Sequence, residues 1–458
     1  MTSNLTARLA AFTAGLRYEQ LPGEAVHAIK RILLDCLGTS LAGSSLGAGV
    51  PQLLALVEQA GGAPEAAILG TSLRAPAHLA ALANGGLAHA LNYDDYLPVA
   101  GLHLGVTGVP AALAVADRTG GVSGKELITA IAAGCELMAR LGLAIEKGSY
   151  TETRPQTSQM LGYFNAAASA GRVLRLSAAQ MHSALGLALM QCSGGRQPVV
   201  EGAQAKALYA AWPNQTGAQS ALLAKQGLDG VCAAFEGEAG LYATYFQGRY
   251  SAAALDQDLG EVYRLQGVTF KPWPTTNVAH VFIEAAISLM AEHNPRPPDI
   301  AAVHLRGQDH IRTFCEPAAV RQAPRTSVDA EDSIPFSVAK ALANGRIGLA
   351  DLQADGLKQP EALRIAAATT YSTDETLGTA GVAELTTTSG QRFAQRVDRP
   401  LGFPPRELSD DQLVAKFRDC AAHSVRPVEI DAAIGLVWNL ERVDDVRRLT
   451  AALSSGNQ

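Results

Sequence analysis

A polar segment interrupts an otherwise apolar stretch of the chain between residues 84 and 117. It contains Asn92, Asp94, Asp95 and His103, with apolar, helix-like sequence on either side. Titratable side chains between two apolar helices can form a buried site, where burial and neighbouring charges shift their pKa values. The alternative is structural: the aspartates cap helices or accept hydrogen bonds from backbone N–H groups, and His103 is an ordinary loop histidine.

Two lysines lie in unusual surroundings. Lys206 occurs in AQAKALYAAWPNQTG, which reads as an apolar helix, and Lys271 occurs in FKPWPTTNVAH, where the sequence changes character. Each lysine either extends its apolar stem along the protein so that the ammonium group reaches water, or provides a fixed cation for an anionic ligand. Without further information the first interpretation is preferred for both.

Common catalytic signatures are missing from the sequence. It contains no P-loop, no HExxH, no GxSxG, and no GxGxxG between a strand and a helix. The missing dinucleotide fingerprint disfavours a nicotinamide enzyme. The adjacent Asp94 and Asp95 could suggest a magnesium site, but no second acidic cluster accompanies them, so we predict no metal.

The composition is that of a protein with a large buried core. Of 458 residues, 48% are hydrophobic and 17% are charged, which excludes an extended disordered chain. The net charge of -6 argues against nucleic-acid binding. The most apolar stretch, residues 127–145, contains Glu136 and Arg140 and so fails as a membrane span. Six cysteines without paired spacing read as buried thiols of a reducing compartment, and we expect a soluble, cytoplasmic protein.

The elements that position these side chains are predicted to be helical up to about residue 265. Capping boxes begin at Ser123, Ser177 and Ser409, each followed three residues later by Glu or Gln. In such a box the hydroxyl and the later side chain satisfy free N–H groups at the helix start. We therefore predict a large all-helical domain made of residues 1–265 and 400–458.

The sequence between these two helical parts has a different character. Residues 300–308 read as a strand, and residues 382–397 read as two strands around a Ser389-Gly390 turn. A helix-like segment at residues 337–345 lies between them. We predict a smaller α+β domain of residues 266–399, and a protein whose fold is mainly α.

Taken together, these segments resemble the MmgE/PrpD family. NGGLAHALNYDD…HLGVTGVPA is similar to the family's NGxxAHALDFDDT…HPSxxVxPA, and AQAKALYAAWPNQTG is similar to its TKxLHxGxAAxxG helix. FKPWPTTNVAH resembles KxYPxCxxxH, DSIPFSVAKALANG resembles FSIPYxVAxALxxG, and LSDDQLVAKF resembles LxxxxLxxKF. The segments occur in the family's order and cover nearly the whole chain.

The resemblance implies an architecture and a range of reactions. The family includes 2-methylcitrate dehydratase, cis-aconitate decarboxylase and iminodisuccinate epimerase. It implies a large helical domain with a smaller α+β lid, an active site between them, no metal or organic cofactor, and a homodimer. The implied partner is a small anionic carboxylate substrate, with no role for nucleic acid or membrane.

Several family site residues have direct counterparts here. His103 matches the histidine of the HP motif, although Leu104 replaces the proline. The other matching residues are Lys206, Lys271, Asp94 and Asp95.

Other positions depart from the family pattern. Asn92 replaces the first aspartate of DFDD, a site residue in the decarboxylase, and Tyr96 replaces the following threonine. The histidine of the family's WHPT motif has no counterpart, because the spacing places Gln156 there, with Arg154 nearby. Pro274-Thr275-Thr276 replaces a PxCC-like segment. An amide in place of a carboxylate, and a lost histidine, change the proton-transfer groups of the site.

From the resemblance we expect a cofactor-independent lyase, with a hydro-lyase acting on a di- or tricarboxylate as the first hypothesis. His103 would act as acid and base, Lys206 and Lys271 would hold carboxylates, and Asp94 or Asp95 would orient the site. The expected substrate-binding residues are Asn92, Asp95, Tyr96 and Gln156. The alternatives are an epimerase or isomerase, a decarboxylase, and a catalytically silent carboxylate-binding homologue.

Overall fold

The computed structural model describes residues 4–149 and 155–454, and its fold is mainly α-helical with a smaller α+β part. The helices before residue 260 are α1 Leu5–Gly15, α2 Gly23–Leu46, α3 Val50–Ala60, α4 Ala77–His89, α5 Val109–Thr119, α6 Gly124–Leu143, α7 Thr157–Val173, α8 Ala178–Leu189, α9 Gln197–Glu201, α10 Leu208–Lys225, α11 Leu241–Tyr245 and α12 Ala252–Asp256.

Later helices belong to two groups. In the α+β part they are α13 His280–His293, α14 Arg312–Cys315, α15 Ala318–Arg321, α16 Ser327–Glu331, α17 Ile334–Asn344 and α18 Pro360–Ala367. After it come α19 Asp410–Ala421, α20 Pro427–Trp438 and α21 Arg447–Ala452.

The predicted capping boxes are confirmed at the starts of three helices. Ser123 opens α6, Ser177 opens α8 and Ser409 opens α19, and in each case the hydroxyl accepts from the N–H three residues on. The acid or amide at that third position returns to the serine N–H. These local signals fix where the helices begin.

Small residues let the central helices pack closely. A Cβ added to Gly43 of α2 would lie 2.0 Å from the carbonyl oxygen of Leu87 in α4. No side chain fits in that space, so the glycine sets how close the two helices come. Helix α4 then leads directly into the polar segment that begins at residue 90.

The sheet of the α+β part has four strands in the order β4-β3-β5-β6. The strands are β3 Ile300–Gly307, β4 Thr369–Thr373, β5 Gly381–Thr387 and β6 Arg392–Val397. Strands β3, β5 and β6 were predicted and are antiparallel neighbours, with Val303 opposite Leu385. Strand β4 was missed; it pairs in parallel with β3, with Thr369 beside Val303.

Two hydrophobic cores lie along the chain. One combines buried side chains from residues 5–270 and 408–453, and the other combines residues 279–397. The chain segment between residues 270 and 279 therefore runs from one core to the other. The division of the chain into domains at residues 265 and 400 remains a prediction.

Three expectations need correction. The helical part is not purely helical, because it contains a two-strand hairpin, β1 Ala66–Ala67 and β2 Arg74–Ala75. Lys206 lies on a 3-10 turn, Gln204–Ala207, which precedes α10. Cys232 is exposed, whereas the other five cysteines are buried.

No single helix in residues 4–149 and 155–454 is long and apolar enough to cross a membrane. Helices α2 and α3 pass such a test only as a pair, on length and composition, and they meet at 91°.

Candidate functional site

The polar segment after α4 brings two histidines to one carboxylate. Asp94 is fully buried, and its Oδ2 lies 3.0 Å from Nδ1 of His89 and 2.9 Å from Nδ1 of His103. The Nδ1 of His103 is also 2.7 Å from the carbonyl oxygen of Asp95. Since both neighbours of this nitrogen are acceptors, it carries the proton. The Nε2 of His103 is then the nitrogen that can accept a proton.

The charge state of Asp94 follows from these contacts. Burial acts to raise its pKa, but attraction to His103 and His89 outweighs burial and holds the pKa well below its ordinary value. Burial lowers the pKa of His89. Asp94 is therefore an anion that orients both rings and stabilises positive charge on His103 when that ring gains a proton.

Asp95 has the structural role that was the alternative interpretation. Its carboxylate accepts hydrogen bonds from the backbone N–H groups of Leu104 and Gly105, at 2.9 and 3.0 Å. Burial, with Asp35 and Asp94 nearby, raises its pKa to about 7. Asp95 thus fixes the loop that carries His103, and it lies behind the histidine.

Lys271 and Lys206 are both buried, so the interpretation that their ammonium groups reach water is wrong. They are 2% and 6% exposed. Lys271 donates to the carbonyl and side-chain oxygens of Asn92, at 2.7 and 2.8 Å. Lys206 lies 3.2 Å from Glu331 and 3.0 Å from Asp332. Both ammonium groups need these partners, because an unpaired ammonium group costs free energy in the low-dielectric interior.

Asn92 connects the two lysines. Its Nδ2 donates to Asp332 at 3.2 Å, while its Oδ1 accepts from Lys271. An amide can donate and accept at once, whereas an aspartate here would face Asp332 as a like charge. Asn92 also has φ 49°, a left-handed conformation that asparagine tolerates better than most residues.

This hydrogen-bonded network crosses from one core to the other. Asn92 and Lys206 belong to the helical part, whereas Glu331 and Asp332 lie at the end of α16 in the α+β part. Burial and the neighbouring Asp332 raise the pKa of Glu331 to about 7, although Lys206 opposes the shift. Burial lowers the pKa of Lys271 to about 8 against the attraction of Asp94. Lys271 is therefore a cation at neutral pH that deprotonates readily.

A second buried ion pair holds the polar segment in place. Lys416 of α19 lies 2.7 Å from Asp35 of α2 and donates to the carbonyl oxygen of Tyr93 at 2.6 Å. Its ammonium group is 3.9 Å from the centre of the Tyr93 ring. The Tyr93 hydroxyl in turn donates to the carbonyl oxygen of Pro272, next to Lys271. Lys416 therefore holds the backbone from which Asn92 and Asp94 project.

The two histidine rings line a narrow crevice. It is lined in part by His89, His103, Gln156, Ser158 and Tyr209. Gln156 thus lies where the sequence placed it, beside His103, and Arg154 lies outside the described residues.

Tyr96 also contacts the histidine. Its ring centre is 5.5 Å from that of His103. The structure therefore brings His103, Asp94, Tyr96 and Gln156 together, and it joins Lys206, Lys271 and Asn92 in the neighbouring network.

Sequence reasoning missed several residues of this site. His89 was inside the quoted AHAL motif, and its five-residue distance from Asp94 was an available signal. Glu331 and Asp332 are more than 100 residues from Lys206 in sequence, and no local pattern pairs them. Asp35 and Lys416 likewise come from helices far apart in the chain. Within the described residues, no group of three His, Cys, Asp or Glu side chains is placed to hold a metal ion.

Comparison with known proteins bears on this site. A model of the MmgE/PrpD N-terminal domain matches residues 7–253, and a model of the MmgE/PrpD C-terminal domain matches residues 273–441. The chain is similar to the cis-aconitate decarboxylase-like protein oryM of Aspergillus oryzae, with 25% identity over 98% of this chain and 97% of that protein.

Two further relatives are cis-aconitate decarboxylases. The Homo sapiens protein is 25% identical over 99% of this chain and 95% of its own length. The Aspergillus terreus protein is 22% identical over 99% of this chain and 96% of its own length. Because two family models together span most of the sequence, this chain belongs to the MmgE/PrpD family.

Proposed function

We propose that this protein is a cofactor-independent lyase that removes carbon dioxide from a small di- or tricarboxylate. The support is the buried Asp94–His103 pair, next to the cation Lys271, in a chain whose full-length relatives are named cis-aconitate decarboxylases. Decarboxylation replaces dehydration, our first hypothesis from the sequence, because none of those relatives is named a dehydratase.

The proposed reaction has two steps that need different groups. The bond between carbon and the leaving carboxylate breaks, carbon dioxide departs, and the electron pair stays on the remaining carbon skeleton. A nearby cation lowers the energy of that negative charge, and Lys271 supplies it in a dry site. Protonated His103 then delivers a proton from Nε2 to the carbon, while Asp94 stabilises the imidazolium before transfer.

Lys206 has a smaller role in this proposal than the sequence suggested. Two of its three N–H donors already meet Glu331 and Asp332. Its charge is thus balanced inside the protein. We propose that it positions the network around Asn92 and offers at most its remaining donor to a substrate carboxylate.

Asn92 argues for a substrate that differs from that of the relatives. The resemblance places an aspartate of the decarboxylase at this position, and here an amide joins Lys271 to Asp332. Unlike a carboxylate, the amide does not act as a general acid or base near neutral pH. We therefore propose that the substrate is a di- or tricarboxylate other than cis-aconitate.

The test is a reaction screen in deuterated water. Purified protein is incubated with a panel of carbon-13-labelled di- and tricarboxylates, and the products are followed by nuclear magnetic resonance. Labelled carbon dioxide together with deuterium on the product carbon supports decarboxylation. Loss of water without carbon dioxide supports the hydro-lyase hypothesis, and deuterium exchange without a new product supports the epimerase.

The control for this screen is His103→Gln, which should form labelled product roughly 10²- to 10⁴-fold more slowly than the wild-type protein. If every acid is returned unchanged and without deuterium by the wild-type protein, the proposal is wrong. The protein is then the catalytically silent carboxylate-binding homologue.

We further propose a cytoplasmic homodimer, which sedimentation analysis and cell fractionation would test.

A further inference from the structure

A second cavity, of about 430 Å³, lies on the other side of Tyr96 from His103. It opens between the two parts of the protein, with Tyr96, Pro98 and Val99 on the helical side. The α+β side contributes residues from the segment after Lys271, from the sheet edge and from the segment that leads to α19. It falls in the size range of small-molecule binding sites.

The walls of this cavity are mainly apolar. Phe282 and Val281 of α13 form its floor with Ile311, and they are 1%, 8% and 1% exposed. Phe403 and Val278 close the sides. Apolar walls gain free energy only when apolar atoms displace water from them. A small polycarboxylate alone would leave this surface uncovered.

The rim adds both apolar and positive groups. Val99 lies at the opening and is 73% exposed. Arg399 also lines the cavity, is exposed, and forms no ion pair with a residue that the structure describes. A free guanidinium group beside an apolar opening attracts anions that carry an apolar part.

One polar atom beside the cavity has no partner. The side-chain oxygen of Asn277 is buried, and it accepts no hydrogen bond from residues 4–149 or 155–454. A buried acceptor without a donor is costly. Because Asn277 lines the cavity, a ligand or a water molecule that accompanies it can supply the missing donor.

The Tyr96 ring lies between this cavity and His103, and its backbone is fixed by hydrogen bonds. Its N–H and C=O both pair with Thr269, at 2.8 and 2.7 Å. Its ring centre lies 5.5 Å from that of His103 and 6.2 Å from that of Phe403. One ring therefore borders both the proton-transfer group and the apolar cavity, so a single ligand can contact both.

We propose that this cavity binds the apolar chain of an amphipathic carboxylate substrate, whose polycarboxylate head reaches His103 and Lys271 past Tyr96. This inference rests on the proposed function, because it takes the reacting end to be a polycarboxylate. It names the substrate class as an alkyl- or acyl-substituted di- or tricarboxylate. Tyr96, Val278 and Phe403 become the residues that determine specificity for the chain.

The experiment measures binding of succinate, butylsuccinate and hexylsuccinate by titration calorimetry with the full-length protein. Each methylene group that enters the cavity should tighten binding roughly three- to fourfold. The neutral diamide of hexylsuccinate should bind far more weakly than the diacid, since it offers no negative charge to Lys271 or Arg399.

Two variants test the location of the chain. Val278→Phe fills the cavity and should remove the gain from added methylene groups. Val428→Phe makes the same change on the exposed face of α20, where Val428 is 68% exposed, and should keep the gain. Ala380→Leu narrows the cavity from the opposite wall and should act like Val278→Phe.

Failure of this inference can be distinguished from failure of the proposed function. If succinate binds but the longer acids bind no tighter, or if Val278→Phe and Ala380→Leu keep the full gain, the chain-binding inference is wrong and the lyase proposal stands. If the diamide binds as tightly as the diacid, the cavity does not select a carboxylate, and the inference is again wrong. If none of the three acids binds, the chain-binding inference is wrong, and the reaction screen decides the lyase proposal separately.

Discussion

His103 has the contacts of a proton-transfer group, and few neighbouring side chains could take over that role. Asp94 and the Asp95 carbonyl oxygen both occupy its Nδ1. Asn92 and Gln156 stand where the family has titrating groups. His103 and the more deeply buried His89 are the histidines that contact Asp94. Its chemistry can therefore be tested with one substitution.

His103→Gln should lower turnover roughly 10²- to 10⁴-fold, the usual contribution of a general acid or base. The pH profile of turnover should lose the limb that depends on the imidazole, because glutamine keeps the polarity but does not titrate. Steady-state kinetics across pH measures both effects. His182→Gln is the matched control; His182 is a half-buried residue of α8 whose Nε2 contacts the carbonyl oxygen of Cys232. Wild-type turnover with an unchanged pH profile would assign the proton transfer to Tyr96, a lysine or His89.

Lys271 should make anion binding depend on pH. Its pKa is lowered to about 8 by burial, so the ammonium form is lost as pH rises above that value. Succinate is fully ionised at pH 7 and pH 9, and its affinity should fall roughly tenfold between them. Titration calorimetry measures the change, and Lys271→Arg should flatten it because arginine stays charged. Equal affinities at both pH values would show that Lys271 is not the anion-binding cation.

The candidate residues could be found from the sequence, but their partners could not. The AHAL, DD and HLG motifs and the two lysines were recognisable by type and order. Whether Lys206 and Lys271 were buried depended on Glu331 and on the Asn92 side chain. A lysine stem looks the same in sequence whether its ammonium group meets water or a distant carboxylate.

Among the secondary-structure elements, α19 supports the site although it lies near the end of the chain. Its Lys416 pairs with Asp35 of α2 and binds the backbone at Tyr93, between Asn92 and Asp94. The side chains of this pair are 5% and 0% exposed. Removal of the lysine leaves a buried carboxylate without its counter-ion and a site segment without its support.

Lys416→Met should lower the free energy of unfolding by about 3–5 kcal/mol, the usual cost of breaking a buried ion pair. Chemical denaturation measures this loss. Lys358→Met, where the side chain is 76% exposed, should change stability little. The double variant Asp35→Asn with Lys416→Met should recover part of the loss. If the two single lysine variants are equally stable, the buried pair does not support the fold.

Elements with a local signal were predicted, and elements that depend on distant partners were missed. The capping boxes at Ser123, Ser177 and Ser409 are contained in four residues each. Strand β4, with the sequence TTYST, has few buried side chains and pairs in parallel with β3 across more than 60 residues. Its threonines fit a strand or a loop equally well until β3 is in place.

At the scale of the whole molecule, charged side chains join the two parts of the protein across a buried boundary. Lys206 faces two carboxylates, Glu331 and Asp332. One cation cannot neutralise both; burial, together with the neighbouring Asp332, raises the pKa of Glu331 to about 7. The mainly α fold with a smaller α+β part was predicted from the sequence pattern, whereas these ion pairs between the two parts were not.

Glu331→Gln should change how stability depends on pH. A carboxyl group whose pKa is raised from 4.5 to about 7 in the folded state contributes stability at low pH that is lost as pH rises through that window. The variant lacks this loss. The melting temperature of the variant minus that of the wild type should therefore increase from pH 5 to pH 7.5. Glu58→Gln, on the exposed face of α3, should show no such trend.

The contact between Lys416 and Tyr93 also bears on the order of events during synthesis. A ribosome completes Asp35, Tyr93 and His103 well before it reaches α19, and both hydrophobic cores are largely translated by then. Until Lys416 leaves the exit tunnel, the Asp35 carboxylate lacks its ion-pair partner and the segment around Tyr93 lacks its donor. A nascent chain stalled before residue 410 should therefore fold its early helices yet hold the histidine site loosely. The histidine site would then become able to catalyse the reaction late in translation, in a single step.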